Sequence, residues 1–92
     1  MERICIMDIQ VHPKVGNTEI AVSSLNRMTY LMEVFGQFQP ISIVEEGGQR
    51  FVVDGVIRLA AAKKLGWNEI SIKKVDWQVD EILTNRLISN VA

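Results

Sequence analysis

The sequence predicts an α+β domain with a small mixed sheet, its elements running β-α-β-β-α-β-α. Three observations carry that prediction. Short alternating or apolar runs recur at residues 3–11, 40–44, 49–53 and 69–75, bounded by turn residues. Apolar spacing of three and four between Ile20 and Phe35, and an Ala-rich run after Gly55, interleave helices with those strands. Gly36, Gly47–Gly48 and Gly66 stand where a helix or a hairpin must turn.

In residues 3–11, RICIMDIQV, the alternation turns Ile4, Ile6, Ile9 and Val11 inward. Cys5, between two of them, is expected to pack as a small hydrophobe. His12-Pro13-Lys14 breaks the strand, and Gly16-Asn17 prolongs the loop. Asn17 or Thr18 suits the N-cap of the next helix, with Glu19 in its first turn. Ala21, Leu25, Met28, Leu31, Met32 and Phe35 form that helix's apolar stripe, and Gly36 stops it. Met28 and Met32 read as gap-filling core, because thioether chains adapt to irregular space. The runs 40–44 and 49–53 are strands joined through Glu45-Glu46-Gly47-Gly48, whose glycines can take positive φ.

The helix after Gly55 ends at Gly66, and Trp67 is placed for the hydrophobic contact of a Schellman turn. Ile70, Ile72 and Val75 mark the last strand. Val79, Ile82, Leu83, Leu87 and Val91 lie on one face of a C-terminal helix. The chain stops there without a polar tail. One domain over residues 1–92, or a fragment of a longer protein, is the expectation.

At 48% hydrophobic and 23% charged, a chain of 92 residues can bury a core and is not disordered. No apolar run reaches the roughly 18 residues of a membrane span, and Asp8 interrupts the N-terminal run too early for a signal peptide. The single cysteine can form neither an internal disulfide nor a zinc site, which fits a reducing cytoplasm. A net charge of −1 lacks the basic excess of a domain that grips a DNA backbone. DNA would need a local patch, such as Lys63–Lys64 with Lys73–Lys74, or a separate domain.

The stretch Val52-Val-Asp-Gly-Val-Ile-Arg58 poses the sharpest question. It puts a strand, a turn and a helix N-terminus in succession, with a cation in the first helical turn. Positive charge there opposes the helix dipole by about 0.3–1 kcal/mol, so something negative should compensate. Asp54 is one candidate, as an acid four residues before Arg58 and as an N-cap. A phosphate is the other, held by Arg58 and the free N–H groups of the turn, with Gly55 allowing close approach.

Gly36-Gln-Phe-Gln-Pro-Ile-Ser-Ile43, Asp54-Gly-Val-Ile-Arg-Leu-Ala-Ala-Ala62 and Leu65-Gly66 together resemble the ParB/sulfiredoxin superfamily over nearly the whole chain. His12-Pro13 resembles the His-Pro or Asn-Pro loop of many ParB-like proteins. The resemblance implies a ParB/sulfiredoxin-like fold and a nucleotide- or phosphate-binding turn. Carried onto this chain, that site takes in Asp54, Gly55, Val56, Ile57 and Arg58, with Gln39 and His12. It implies CTP, or ATP or ADP, with Mg²⁺ as the ligand, and DNA and a second copy of the chain as partners. Val56 and Ile57 are apolar where partition ParB proteins carry Glu and Arg, which puts CTP specificity and hydrolysis in doubt. Val56 also stands where sulfiredoxins carry their cysteine, which argues against reductase chemistry. A third ParB box would place its Asn on Asn90 and its Glu on Ser89, beyond which the chain ends.

Other chemistry is thinly represented. His12 is the only histidine, so neither a multi-histidine metal site nor a local triad is indicated. Lys14 could reach a phosphate, and a solvated lysine is the plainer reading. Glu45 and Glu46 sit at a hairpin tip and read as solvated. Asp54 could hold Mg²⁺ beside a phosphate. Trp67 and Trp77 lack an interleaved basic run and read as packing residues rather than base-stacking platforms. The expectation is therefore a regulatory nucleotide-binding module of a DNA-associated protein concerned with partition, transcription or a phage or plasmid. Family members often carry the label ParB-like nuclease, yet no residue set here would carry nuclease chemistry. The alternatives are a phosphotransferase like the free-serine kinases, with Asp54 or His12 as base, and an interaction domain whose phosphate site has decayed.

Overall fold

The structure is a computed structural model that describes residues 2–13, 15, 20–37 and 39–77. Those residues form five strands and two helices: β1 (Glu2–Cys5), β2 (Ile9–Val11), α1 (Val22–Phe35), β3 (Ile41–Glu46), β4 (Gln49–Asp54), α2 (Val56–Lys64) and β5 (Glu69–Lys74). A 3-10 turn, Ile6–Asp8, links β1 to β2. The C-terminal helix expected over 79–91 lies outside the described residues, as do Lys14, Asn17, Thr18, Ser89 and Asn90.

The sheet order is β1-β5-β3-β4-β2. β1 runs antiparallel to β5 at one edge, and β2 runs parallel to β4 at the other. Four residue steps from Cys5 to Ile9 reach at most about 14 Å, whereas the outer strands of a flat five-stranded sheet stand about 19 Å apart. The sheet must therefore curl until its edges approach. The run 3–11, expected as one strand, is thereby two. Ile4 and Ile6 are both buried, Ile9 follows at an odd spacing, and the 3-10 turn resets the parity. Cys5 points outward and is exposed, contrary to its expected packing.

β3 and β4 form the predicted hairpin, with Glu46 opposite Gln49. Gly47 and Gly48 take φ of 57° and 79°, the two positive values that a type I′ turn demands. β3 also pairs in parallel with β5, starting at Ile41 opposite Ile72. One face of the sheet joins Ile4, Ile9, Ile41, Ile43, Val52, Ile70 and Ile72 to Met32, Leu59, Ala61 and Ala62 of the helices. The other face carries a smaller cluster of Val15, Val44 and Val53, with Phe51, Val75 and Trp77 against it.

α2 ends as its sequence predicts. Gly66 adopts φ 76°, its N–H donates to Lys63 O at 3.1 Å, and Trp67 N–H donates to Ala62 O at 3.0 Å. That is a Schellman turn, and Trp67 packs onto the core beside it. Lys63 and Lys64 occupy the last turn, at the negative end of the dipole. α1 departs further from expectation. It begins at Val22, later than expected, with Ala21 as N-cap and no side-chain cap. Met32 is buried and Met28 packs at the core margin, while Phe35 is 71% exposed. Phe35 is the last residue of α1, and its side chain stays in solvent. Among the described residues no helix is long and apolar enough to cross a membrane.

Candidate functional site

β4 delivers the chain to the turn, and Gly55 reverses it into α2 at φ 96°, ψ 25°. Gly55 is itself the N-cap and makes no side-chain cap bond, so the capping role expected of Asp54 is overturned. Asp54 instead ends the strand, half-buried and in register with Ser42. The first helical bond runs from Leu59 N–H to Gly55 O at 3.1 Å. Any side chain at position 55 would collide with the fold. A Cβ there would stand 2.8 Å from Ile41 Cγ2 and 3.1 Å from both Ile41 Cβ and Arg58 Nη1. Ile41 is the floor of the turn, and the Arg58 guanidinium folds back over it.

Arg58 is half-buried. Its Nη2 donates to Gln39 Oε1 at 2.5 Å, which joins α2 to the segment before β3. Its Nε is buried and has no hydrogen-bond partner. No acid pairs with it among the described residues, so the expected Asp54–Arg58 ion pair is absent. An unsatisfied buried donor costs about 1–3 kcal/mol, and more when charged. The helix dipole adds to that cost rather than relieving it. The arrangement is a cation, partly withdrawn from water, beside free N–H groups and a side-chain-free turn. Its chemistry suits an anion.

Val56 is half-buried and wedges between the two apolar clusters, while Ile57 is half-buried in the first helical turn. Neither presents a polar group, so only their backbone N–H groups could meet a ligand. His12 is buried to 3% exposure, its N–H donating to Val52 O at 3.0 Å. Its Nε2 lies 3.1 Å from Glu46 Oε1, and its ring meets Phe51 edge-on at 5.4 Å. Those contacts tie His12 to the hairpin. Of the residues predicted from sequence, Arg58 meets both Gln39 and Gly55, and no described contact brings His12 to them. Sequence reasoning missed Ile41, the floor of the turn, and Gln37, whose side chain bonds the backbone of both Gln39 and Ser71. Nothing in their spacing marks either.

Around Glu45 the charges are matched locally. Lys74 Nζ lies 2.8 Å from Glu45 Oε1 and 3.9 Å from Glu2 Oε1, and Arg50 Nε lies 3.9 Å from Glu45. The hydrogen bond from Lys74, then its charge, holds the Glu45 carboxyl below the usual carboxylate range. The same bond raises Lys74. No cluster of three or more His, Cys, Asp or Glu side chains suited to a metal occurs among the described residues. A cation such as Mg²⁺ could find one carboxylate here, Asp54, and would need phosphate oxygens for the rest of its shell.

Residues 1–91 match the ParB N-terminal domain model, and the chain belongs to that family. No curated protein sequence matches it. Its fold is similar to that of C-terminally truncated chromosome-partitioning protein ParB from Caulobacter crescentus complexed with CTP-γ-S. There the TM-score is 0.87 at 22% identity, over 98% of this chain and 52% of that one. The same Caulobacter protein complexed to the centromeric parS site aligns with a TM-score of 0.79 at 20% identity, over 99% of this chain and 47% of that one. Sulfiredoxin from Arabidopsis thaliana matches at 0.74 and 21% identity, over 94% of both chains. The chain thus spans about half the length of the ParB structures it matches. At these identities the likeness establishes the ParB/sulfiredoxin fold.

Proposed function

We propose that this domain is a regulatory nucleotide-binding module of a DNA-associated protein, with the phosphates held at the turn Asp54–Arg58. One observation carries the reading: Arg58 lies over a side-chain-free helix N-terminus with a buried, unpartnered Nε and, among the described residues, no acid within ion-pair distance. A phosphate would supply both the missing charge and the missing acceptor. Gly55 leaves room for it, and Gln39 holds the guanidinium in place. Family membership supports a nucleotide, since a ParB of this fold is known with CTP-γ-S. When bound, the nucleotide would supply negative charge that favours one arrangement of the domain and its neighbours, a second copy of the chain included. DNA contact would fall to a separate domain, because the net charge of −1 gives this one no electrostatic footprint. Partition and transcriptional control are both roles that such a module fits, in the cytoplasm of a bacterium or on a phage or plasmid.

A regulatory rather than catalytic role is favoured by the surroundings of Arg58. Among the described residues Asp54 is the one carboxylate at the turn, and the other candidate base, His12, is bonded at the hairpin. Calorimetric titration of CTP, ATP and ADP, with and without Mg²⁺, into the native chain and Arg58→Ala tests the reading. Saturable binding of a nucleotide that Arg58→Ala weakens at least about tenfold is expected, the worth of one charge-assisted hydrogen bond. Absence of binding by every nucleotide would sink it. Turnover of ATP or ADP with a hydroxyl acceptor would replace it with phosphotransfer.

A further inference from the structure

Between α1 and β3, Gly36, Gln37, Gln39 and Pro40 belong to no helix or strand. The strand register shows why that segment needs support. β3 pairs with β5 only from Ile41 opposite Ile72, so no strand residue stands opposite Ser71 on that side. The Gln37 side chain fills the gap. Ser71 N–H donates to Gln37 Oε1 at 2.7 Å, and Gln37 Nε2 donates back to Ser71 O at 2.9 Å. The same nitrogen donates to Gln39 O at 2.9 Å. A side-chain amide thus imitates one more strand residue and fixes the backbone of Gln39 at the same time. The orientation of the amide is determined, because a flipped group would set its oxygen against two carbonyls.

Gln39 is exposed and is the acceptor that holds Arg58 Nη2. A continuous path of hydrogen bonds therefore runs from the β5 backbone through Gln37 and Gln39 to the guanidinium. We infer that Gln37 is a positioning residue for the Arg58 site: by fixing Gln39 it aims the guanidinium over Gly55 and sets how well the turn receives a phosphate. The inference rests on Arg58 being the ligand-binding cation. It assigns Gln37 a role in a site that its own side chain does not touch.

The test follows the Arg58 Nε–Hε signal in the ¹⁵N-labelled chain, identified by its loss in Arg58→Ala. Gln37→Met keeps the length of the side chain and removes all three hydrogen bonds. Gln37→Glu keeps the bond from Ser71 N–H and removes the two that Nε2 donates, to Gln39 O and Ser71 O. In both, exchange of Nε–Hε with solvent should rise at least about tenfold, with a shift of the resonance, while core amides such as Val52 and Leu59 stay protected. Should Gln37→Met fail to fold, Gln37→Glu carries the same reading. Exchange unchanged in the folded variants overturns the positioning role. A double-mutant cycle with CTP gives the second arm: Gln37→Met should weaken binding in the native background and do nothing further in Arg58→Ala. Equal losses in both backgrounds would mean that Gln37 acts independently of Arg58, which also overturns the inference. A native chain that binds no nucleotide removes the phosphate reading alone, and the exchange measurement still decides the role of Gln37.

Discussion

At the hairpin tip, Gly47 and Gly48 turn the chain in open space, with nothing within 4 Å of a Cβ added at either. The charges near that end, on Glu2, Glu45, Arg50 and Lys74, neutralise one another. At the head of α2, Gly55 turns the chain against Ile41 and the Arg58 guanidinium, and among the described residues no acid pairs with Arg58. Both turns use glycine for its positive φ, but for different ends. The hairpin needs only a reversal, so its energetics are local and complete. The Gly55 turn is crowded beneath and electrostatically open above, which is the form of a cradle for something outside the chain.

The largest difference should come from the glycines themselves. Gly55→Ala forces both left-handed strain and a clash with Ile41, and should cost about 2–4 kcal/mol in denaturant unfolding. Gly48→Ala meets strain alone and should cost only about 1–2 kcal/mol. Equal costs at the two sites would erase the steric half of the comparison. Arg58→Ala should change stability by less than about 1 kcal/mol, because relief from the helix dipole and the unsatisfied Nε offsets the lost packing. A larger loss would show that Arg58 holds the fold rather than a ligand.

The smallest effect concerns the matched charges. The lowered Glu45 carboxyl contributes stability that is present above its ordinary range and lost as pH falls through its depressed value. The raised Lys74 contributes stability that is present below its ordinary value and lost as pH rises through the raised one. The melting-temperature difference between the native chain and Glu45→Gln should therefore be a small plateau at neutral pH that shrinks at both extremes. The solvent exposure of both side chains keeps it small. A difference that grew toward acid pH would contradict the pairing.

Features governed by neighbouring residues were legible in the sequence. The Gly47–Gly48 reversal and the Gly66–Trp67 Schellman turn each follow from a few adjacent side chains and their allowed φ. The burial of Met32 follows from helical period. The splitting of residues 3–11 was legible only in part: Ile6 and Ile9 cannot share one face of an unbroken strand, yet nothing nearby says that β1 and β2 go to opposite edges. Exposure of Cys5 and Phe35 depends on what the sheet and α2 cover. The site divides in the same way. Gly55 and Arg58 stand three residues apart and could be read together. Gln39 meets Arg58 across 19 residues, and Gln37 meets Ser71 across 34. Those pairings arise from sheet order, which periodicity does not encode. The position of His12 beside Glu46, also 34 residues away, was hidden for the same reason.

Titrating CTP into the ¹⁵N-labelled chain, with the Arg58 Nε–Hε resonance as the probe, tests most directly whether this cation holds phosphate. A saturable shift of that resonance, with slowed solvent exchange and accompanying shifts of the Val56 and Ile57 amides, is the predicted result. Binding that leaves Nε–Hε and those amides unmoved, or no binding at all, would contradict it.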